Sequence, residues 1–213
     1  MIRWIKNNLF SRRAPIFYVD RLRVNTDGEG VTTLVTFYGC PLRCKYCPNR
    51  RCFEKAKWYD YLTAENVCRM VAIDNIYFQT TGGGVTFGGG EPLLYPEFIS
   101  EFKTCCNPAW KINIETSLNV KLSNLKKVLP FVSIFFVDIK DINPQIYRSY
   151  TGASNRHLIE NLVYISSIGA QERVVIRVPL IKGFNSAEDQ NRSEEFLSSL
   201  GFTRFDRFEY VIR

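Results

Sequence analysis

Three cysteines spaced C-x3-C-x2-C, at Cys40, Cys44 and Cys47, are the residues best suited to do chemistry in this chain. A [4Fe-4S] cluster has four irons, and the usual protein site gives each iron one cysteine thiolate. Three thiolates on one short loop would therefore leave one iron open to bind and reduce another molecule. Structural zinc, with Cys52 or the only histidine, His157, as the fourth ligand, is an alternative interpretation. Ordinary buried thiols are another.

A glycine-rich turn follows the cysteines, in the run from Gly82 to Leu94. Its segment 85–87 predicts a short buried strand that ends in three glycines and Glu91. Glycines at such a turn let a ligand lie against bare backbone. A glutamate there can accept charge-assisted hydrogen bonds from an ammonium group. The alternative is a tight strand-to-loop turn with a solvated glutamate.

The elements that must position these motifs alternate between strand-like and helix-like runs, which predicts an α/β fold with repeated β-α units around a parallel sheet. Thr63, Pro96 and Ser123 mark three helix starts, and Ser186 with Asp189 forms a capping box for the last helix. Predicted strands span residues 32–38, 84–87, 111–115, 133–139, 173–181 and 204–212. Predicted helices span 64–73, 97–105, 124–129 and 155–168, the last of which contains His157.

Size and composition favour a single domain, because 213 residues that are 46% hydrophobic can bury one sizeable core. We expect residues 1–24 to form a lead-in segment and residues 25–213 the barrel. Residues 1–10 are too polar for a signal peptide and suit a short amphipathic helix. No apolar run reaches about 18 residues, so no membrane span is predicted.

The seven cysteines are an odd number, which argues for reduced thiols in the cytoplasm rather than for a disulfide framework. Cys52, Cys68, Cys105 and Cys106 show no second ligand spacing, and we interpret them as small core residues.

The net charge of +7 favours an acidic partner. Nucleic acid is not expected, because the basic residues are scattered and contain no block of five or six.

The two motifs together resemble those of radical S-adenosylmethionine (SAM) enzymes. The resemblance rests on Cys40, Cys44 and Cys47, on Tyr46 just before the last cysteine, and on Gly89-Gly90-Glu91. Within that superfamily the chain is most similar to the activating enzymes of glycyl radical enzymes, of the pyruvate formate-lyase activase type. The likeness runs from about residue 25 to residue 187, through segments 26–30, 85–94, 137–140, 150–152 and 176–185.

This resemblance implies a partial (β/α)6 barrel of radical SAM type with its cofactor at the carboxyl ends of the strands, where α/β barrels place their chemistry. The chain stops at Arg213, where relatives continue through a Pro-Tyr-His segment and a final helix. We therefore expect a barrel truncated after its sixth strand. The aromatic residues Phe202, Phe205, Phe208 and Tyr210 would then lie near an uncovered edge, which residues 4–10 or another chain would cover.

The chemistry implied is transfer of one electron from a reduced [4Fe-4S] cluster to SAM, which releases methionine and a 5'-deoxyadenosyl radical. The protein would bind and orient the cofactors and exclude competing reactions. By the same resemblance, Glu115, Thr116 and Asp138 match residues that hold a monovalent cation in some activases. The implied site comprises Cys40, Cys44 and Cys47 for the cluster and Tyr46, Gly89, Gly90, Glu91, Glu115, Asp138, Lys140 and Arg177 for SAM.

The implied partners are a glycyl radical enzyme as protein substrate and a one-electron donor, flavodoxin or ferredoxin. The loop with Asp27, Gly28 and Gly30 matches the region of activases expected to meet the protein substrate. This loop has Glu29 for the usual proline and Thr32 for the usual arginine. Residues 115–118 replace the usual Asp-Thr-Asn-Gly, and Pro48 replaces a common histidine. A radical SAM enzyme acting on a small molecule or peptide, and a non-catalytic iron-sulfur protein, remain alternatives.

Overall fold

Eight strands of one sheet, seven α-helices and four short 3₁₀ helices make up the regular structure in the computed structural model, which describes residues 12–53 and 59–210. The strands are β1 Arg13–Val24, β2 Val31–Phe37, β3 Asp60–Thr63, β4 Gly84–Gly89, β5 Lys111–Thr116, β6 Ile134–Asp138, β7 Val174–Leu180 and β8 Phe205–Glu209. The helices are α1 Ala64–Val71, α2 Asn75–Thr81, α3 Pro96–Cys105, α4 Leu122–Val128, α5 Pro144–Thr151, α6 Arg156–Ser167 and α7 Ala187–Ser199.

Six of these strands are parallel. The sheet order is β3-β1-β2-β4-β5-β6-β7-β8, in which every neighbouring pair from β2 to β8 is parallel. β1 pairs antiparallel with β2 and with β3, so the described sheet is open and has β3 and β8 as its edges. The predicted α/β fold with a partial (β/α)6 arrangement is confirmed.

The antiparallel strands β1 and β3 were not predicted. β1 contains Pro15 and four charged residues, and its pairing register shifts twice, between Ile16 and Tyr18 and between Asp20 and Arg23. Each shift breaks the two-residue alternation by which a strand is recognised in a sequence. β3 has only four residues, too few to show an alternation.

The predicted helix starts are confirmed in three of four cases. The Thr63 side chain accepts a hydrogen bond from the backbone N–H of Asn66, Pro96 opens α3, and Ser186 forms its capping box with Asp189. The Ser123 start is wrong, because α4 begins at Leu122 and includes that serine. The remaining helices α2 and α5 were not predicted.

An aromatic cluster fixes β2 and β4 against α3. The ring centroid of Phe37 lies 5.6 Å from that of Phe87 and 5.5 Å from that of Phe98, and Phe87 lies 5.1 Å from Phe102. All four side chains are buried. The pairs of Phe98 with Phe37 and of Phe102 with Phe87 are edge-to-face, an arrangement that stabilises a core beyond its buried area. The cluster therefore holds the two strand ends that precede the cysteine loop and the glycine turn.

None of the helices in residues 12–53 and 59–210 is both long enough and apolar enough for a membrane crossing. The expected lead-in helix over residues 1–10 lies outside the described residues.

Candidate cluster and cofactor site

A cavity of about 220 Å³ lies at the carboxyl ends of the six parallel strands. Every one of those strands, or the loop directly after it, contributes to its wall, as expected for the chemical face of an α/β barrel. The lining residues are Cys40, Leu42, Cys44, Cys47, Pro48, Asn49, Cys52, Phe53, Gly89, Gly90, Glu115, Thr116, Ser117, Phe136, Asp138, Lys140, Arg177 and Tyr210.

The three predicted cluster cysteines all face this cavity, on the loop that follows β2. Helix α5 supports the loop: the backbone N–H groups of Arg43 and Lys45 donate to the carbonyls of Thr151 and Tyr150, at 2.8 and 3.1 Å. These two contacts flank Cys44 and hold it in place.

The cysteine sulfurs lie in surroundings that favour the neutral thiol. Burial raises the pKa of Cys44 to about 11 and also raises the pKa of Cys47. Burial, followed by the charge of Glu91, raises the pKa of Cys40. Iron binds the thiolate form, so loading the site must release protons.

No three or more His, Cys, Asp or Glu side chains converge on one point as ligands of a single metal ion within the described part of the chain. Cysteines that hold a cubane cluster each bind a different iron and need not converge. Cys52, considered as a fourth zinc ligand, lines the cavity with the other three cysteines. The other candidate, His157, is exposed on α6, where its ring contacts Glu160, and is not part of the cavity wall.

The glycine turn packs directly on the cysteine loop. The N–H of Gly90 donates to the carbonyl of Phe37 at 2.9 Å, and the N–H of Glu91 donates to that of Gly39 at 2.8 Å. A Cβ atom at Gly90 would lie 2.1 Å from the Gly39 carbonyl oxygen, and Gly89 has a φ of +91°. Side chains here would push the two loops apart, so glycine is required for their close approach.

Glu91 differs from both sequence interpretations, since its side chain is neither open to the cavity nor solvated. It is fully buried. Oε1 accepts from the N–H of Leu93 at 3.1 Å and from Thr116 Oγ1 at 2.6 Å, and Oε2 accepts from the N–H and Oγ of Ser117 at 3.0 and 2.6 Å. Glu91 thus ties the glycine turn to the end of β5.

Arg177 and Glu115 form an ion pair at the cavity wall. Arg177 Nη1 lies 2.7 Å from Glu115 Oε1, and Nη2 donates to the carbonyl of Thr26 at 3.4 Å. The guanidinium also lies over the ring of Phe136, 4.9 Å from its centroid. Both ion-pair side chains keep part of their surface exposed, so a ligand carboxylate entering the cavity can reach the guanidinium.

Asp138, Lys140 and Tyr210 form a second polar cluster at the cavity wall, where Asp138 is the β6 partner of Arg177 on β7. Lys140 Nζ donates to Asp138 Oδ2 at 2.5 Å and to the Tyr210 hydroxyl at 2.6 Å. Burial lowers the pKa of Lys140, but Asp138 and Tyr210 outweigh it, and the pKa is raised well above its usual value. Asp138 Oδ1 is buried and has no hydrogen-bond partner among the described residues. It is an acceptor left over for a ligand.

Tyr210 is a cavity residue that sequence reasoning placed elsewhere. We expected the aromatics of residues 202–210 near an edge that residues 4–10 or another chain would cover. Phe202 is already buried by the described chain, and the Tyr210 hydroxyl belongs to the cavity cluster. No motif marks Tyr210, and only the register of β8 beside β7 brings it to the mouth. Residues 4–10, which we expected as one possible cover of this edge, lie outside the described residues.

Tyr46 and Asn49 support the cysteine loop from two sides. The Tyr46 hydroxyl donates to the carbonyl of Lys182 at 3.3 Å, and its ring meets Phe184 edge-on, with centroids 5.7 Å apart. Asn49 Nδ2 donates to the Gly89 carbonyl at 2.9 Å. Sequence reasoning did not assign Asn49, although its place two residues after Cys47 was a usable signal.

The loop of Asp27, Gly28 and Gly30 precedes β2 and is not part of the cavity wall. Asp27 is fully buried: Oδ1 accepts from Thr26 Oγ1 and Thr32 Oγ1, each at 2.8 Å, and Oδ2 from Arg23 Nε at 3.1 Å. Cβ atoms on the two glycines would come within 2.3 Å of Asn113 and 2.5 Å of Thr81. The Asp27 carboxylate, expected to meet a partner, is occupied within the chain.

Comparison with known proteins agrees with this geometry. The Radical SAM superfamily model matches residues 34–191. The pyruvate formate-lyase-activating enzyme of Clostridium pasteurianum is 32% identical over 78% of this chain and 68% of its own length. The (2S)-3-sulfopropanediol dehydratase activating enzyme of Klebsiella oxytoca is 26% identical over 87% of this chain and 78% of its own.

A solved structure shows the same fold at low identity. Streptococcus suis SuiB, in its crystal structure bound to precursor peptide SuiA, superposes with a TM-score of 0.64 at 18% identity. The match covers 84% of this chain but only 39% of SuiB. The family match over most of the sequence confirms the resemblance drawn from the motifs: this chain belongs to the radical SAM superfamily.

Proposed function

We propose that this chain is the activating enzyme of a glycyl radical enzyme: it cleaves SAM reductively at a [4Fe-4S] cluster and removes a hydrogen atom from a glycine of its protein substrate. The observation that carries the proposal is the convergence of three cysteines, a bare glycine turn and the cationic Arg177 and Lys140 on one cavity. The curated relatives described above are activating enzymes, which supports the substrate class.

The residues present fit the cluster. Cys40, Cys44 and Cys47 supply three sulfur donors on one loop, and α5 and the glycine turn hold that loop by backbone hydrogen bonds. When bound, the cluster supplies one low-potential electron for cleavage of SAM, and the physiological donor we propose is a flavodoxin or a ferredoxin. The protein's own task at these residues is to hold the thiolates and leave one iron accessible.

The residues around the cavity also fit SAM. Arg177 can exchange part of its contact with Glu115 for the SAM carboxylate, a charge-assisted pairing that guanidinium favours. Asp138 Oδ1 offers an unused acceptor, and Gly89 and Gly90 expose backbone without side chains. Glu91 would act only indirectly, by positioning the glycine turn.

A monovalent cation at Glu115, Thr116 and Asp138 stays a prediction. Thr116 Oγ1 already donates to Glu91 and accepts from the N–H of Leu118 at 2.8 Å. Asp138 Oδ1, which is buried without a hydrogen-bond partner among the described residues, is one oxygen of this group that remains available.

The test is anaerobic reconstitution followed by reduction in the presence of SAM. We expect methionine and 5'-deoxyadenosine to be released, and a glycyl radical signal in the electron paramagnetic resonance (EPR) spectrum of a candidate glycyl radical enzyme. The Cys44→Ala variant is the control and should give neither. SAM cleavage without radical formation on any candidate partner would point to a small-molecule or peptide substrate. Stoichiometric zinc with no iron uptake would refute the proposal.

A further inference from the structure

Six exposed basic residues lie on and around the cysteine loop. None of them lines the cavity, so their charges are presented to solvent on the outer side of the loop. The segments that contribute them, residues 30–53, 142–159 and 173–187, contain no Asp or Glu. We call this group the basic face, and its members are Arg43, Lys45, Arg50, Arg51, Arg148 and Lys182.

The basic residues of the loop itself lie next to a predicted cluster ligand. Arg43 and Lys45 are the two neighbours of Cys44 in the sequence. The Arg50 guanidinium, which follows the last cysteine, donates to the Lys45 carbonyl at 2.7 Å. The positive charge therefore lies directly beside the thiol that the loop presents to the cavity.

Two further members come from the elements that support the loop. A Cβ atom at Gly152 would lie 4.0 Å from that of Arg43, and the N–H of Gly152 donates to the Arg148 carbonyl at 2.9 Å. Arg148 is thus one helical turn, about 5 Å, from the point where α5 meets the loop. On another side, the Lys182 carbonyl accepts from the Tyr46 hydroxyl. The basic face therefore continues beyond the loop.

The described chain leaves these charges without carboxylate partners. The side chains of Lys45, Arg148 and Lys182 make no ion pair among the described residues. Those of Arg43 and Arg50 donate to backbone carbonyls, which carry no net charge. Exposed basic residues of α4 and α7, in contrast, pair with glutamates of α3 and α7. Unbalanced charge of one sign attracts partners of the opposite sign, so the basic face fits an acidic partner.

The position of the face decides between two acidic proteins. A substrate glycine has to enter the cavity, and none of the six basic residues belongs to the cavity wall. An electron has to reach only the cluster, and Cys44 lies between Arg43 and Lys45 on the loop. A carrier on the outer side of the loop would approach the cluster closely and leave the cavity open for SAM and the protein substrate.

We infer that the basic face is the docking surface for an acidic one-electron carrier protein. The inference rests on the proposed function, because it requires a [4Fe-4S] cluster on this loop. In the transfer the reduced carrier loses one electron and the oxidised cluster gains it, and no other group moves. The exposed charges speed and orient the encounter, and salt screens them.

The first test measures electron transfer from a flavodoxin of negative net charge. Reduced flavodoxin is mixed at low ionic strength with the anaerobically loaded protein, and oxidation of its flavin is followed by absorbance. Arg148→Glu should lower the second-order rate constant about threefold, and adding Lys45→Glu should extend the loss to about tenfold. At about 1 M salt, where the Debye length is about 3 Å, the loss should shrink below about twofold. Arg204→Glu makes the same charge change at an exposed site just before β8 and should match wild type.

A small uncharged reductant separates docking from damage to the cluster site. Photoreduced 5-deazaflavin needs no docking surface, so SAM cleavage by Arg148→Glu should then equal that of wild type. Slower cleavage with this reductant would place the defect at the cluster and overturn the inference. Equal rate constants for Arg148→Glu and Arg204→Glu with flavodoxin would also overturn it. So would weaker binding of a glycyl radical enzyme by Arg148→Glu with unchanged electron transfer, because the face would then belong to the substrate. Failure of wild type to cleave SAM with 5-deazaflavin would instead refute the proposed function.

Discussion

Two buried carboxylates where the parallel strands begin are fully hydrogen-bonded, whereas Asp138, where the strands end, keeps one buried oxygen without a partner among the described residues. Where the strands begin, Asp27 and Asp74 are fully buried, and each is paired with an arginine of β1, Arg23 or Arg21. Hydroxyl groups of Thr32 and Thr33 complete these pairs. Where the strands end, three thiols and Asp138 line the cavity, and Asp138 Oδ1 has no hydrogen-bond partner in the described chain.

This difference separates residues that hold the fold from residues that await a ligand. A buried carboxylate whose oxygens are all hydrogen-bonded stabilises its loop and has little capacity for anything else. A buried acceptor left unpaired costs free energy until a ligand arrives. Glu91 shows that the distinction follows environment rather than motif, because it lies beside the cavity and is satisfied like Asp27.

The largest effect is expected when one of the three cluster thiols is removed. Replacing Cys40, Cys44 or Cys47 with alanine should abolish most of the bound iron and sulfide, because each thiolate supplies one of only three cluster bonds from the protein. Wild-type protein should hold four irons and four sulfides per chain. Iron and sulfide analysis after anaerobic reconstitution measures this.

The control is Cys105→Ala, with Cys106→Ala beside it, since both thiols lie at the end of α3 and away from the cavity. Their iron content should equal that of wild type. Equal iron content in Cys44→Ala and wild type would show that the loop is not the cluster site.

Where the parallel strands begin, the next prediction concerns the free energy of unfolding. Asp27→Ala leaves the two threonine hydroxyls and Nε of Arg23 without their acceptor, and should lower the free energy of unfolding by about 2 to 3 kcal/mol. Urea unfolding at neutral pH measures the change. Cluster binding should persist in whatever fraction remains folded.

Glu29→Ala is the matched control on the same loop. Its side chain is 68% exposed and pairs with Lys111 at the surface, an ion pair of the kind that contributes little. If Asp27→Ala is no more destabilising than Glu29→Ala, the carboxylate of Asp27 is free for a partner after all.

A smaller effect is expected for ligand binding at the mouth. Arg177→Ala should weaken SAM binding about tenfold to a hundredfold, since a charge-assisted contact to a carboxylate is worth about 1.5 to 3 kcal/mol. Equilibrium binding of SAM to the loaded protein measures it, and iron content should be unchanged. Arg192→Ala on α7 is the control, because its ion pairs with Glu188 and Asp189 lie at the surface. Unchanged SAM affinity in Arg177→Ala would make its pair with Glu115 purely structural.

The parallel strands could be predicted from the sequence because five of the six carry buried apolar residues. The cysteine and glycine motifs also mark where two of these strands end. It could not predict which polar residues the fold satisfies. The carboxylate oxygens of Asp27 accept hydrogen bonds from residues between one and five positions away in the sequence. Those of Glu91 accept from Ser117, which the pairing of β4 with β5 brings near. Tyr210 reaches Lys140 across 70 residues through the neighbouring strands β6, β7 and β8. Such pairings depend on strand register, which no local pattern in this sequence reveals.

The smallest effect is a pH dependence that belongs to the end of the sheet where the strands begin. Burial raises the pKa of Asp74, but hydrogen bonds from Arg21 and Thr33 outweigh it, and the pKa is lowered from its ordinary 3.8. The folded state therefore binds a proton less readily than the unfolded state. The stability from this pair is fully present above about pH 3.8 and is lost as the pH falls through the folded pKa. Urea unfolding of metal-free protein between neutral pH and pH 3 should show Asp74→Asn losing less stability than wild type. Asp60→Asn, on the exposed end of β3, should follow the wild-type curve. If Asp74→Asn also follows the wild-type curve, protonation of Asp74 does not change the free energy of unfolding. The contrast between the two ends of the sheet would then depend on Asp27 alone.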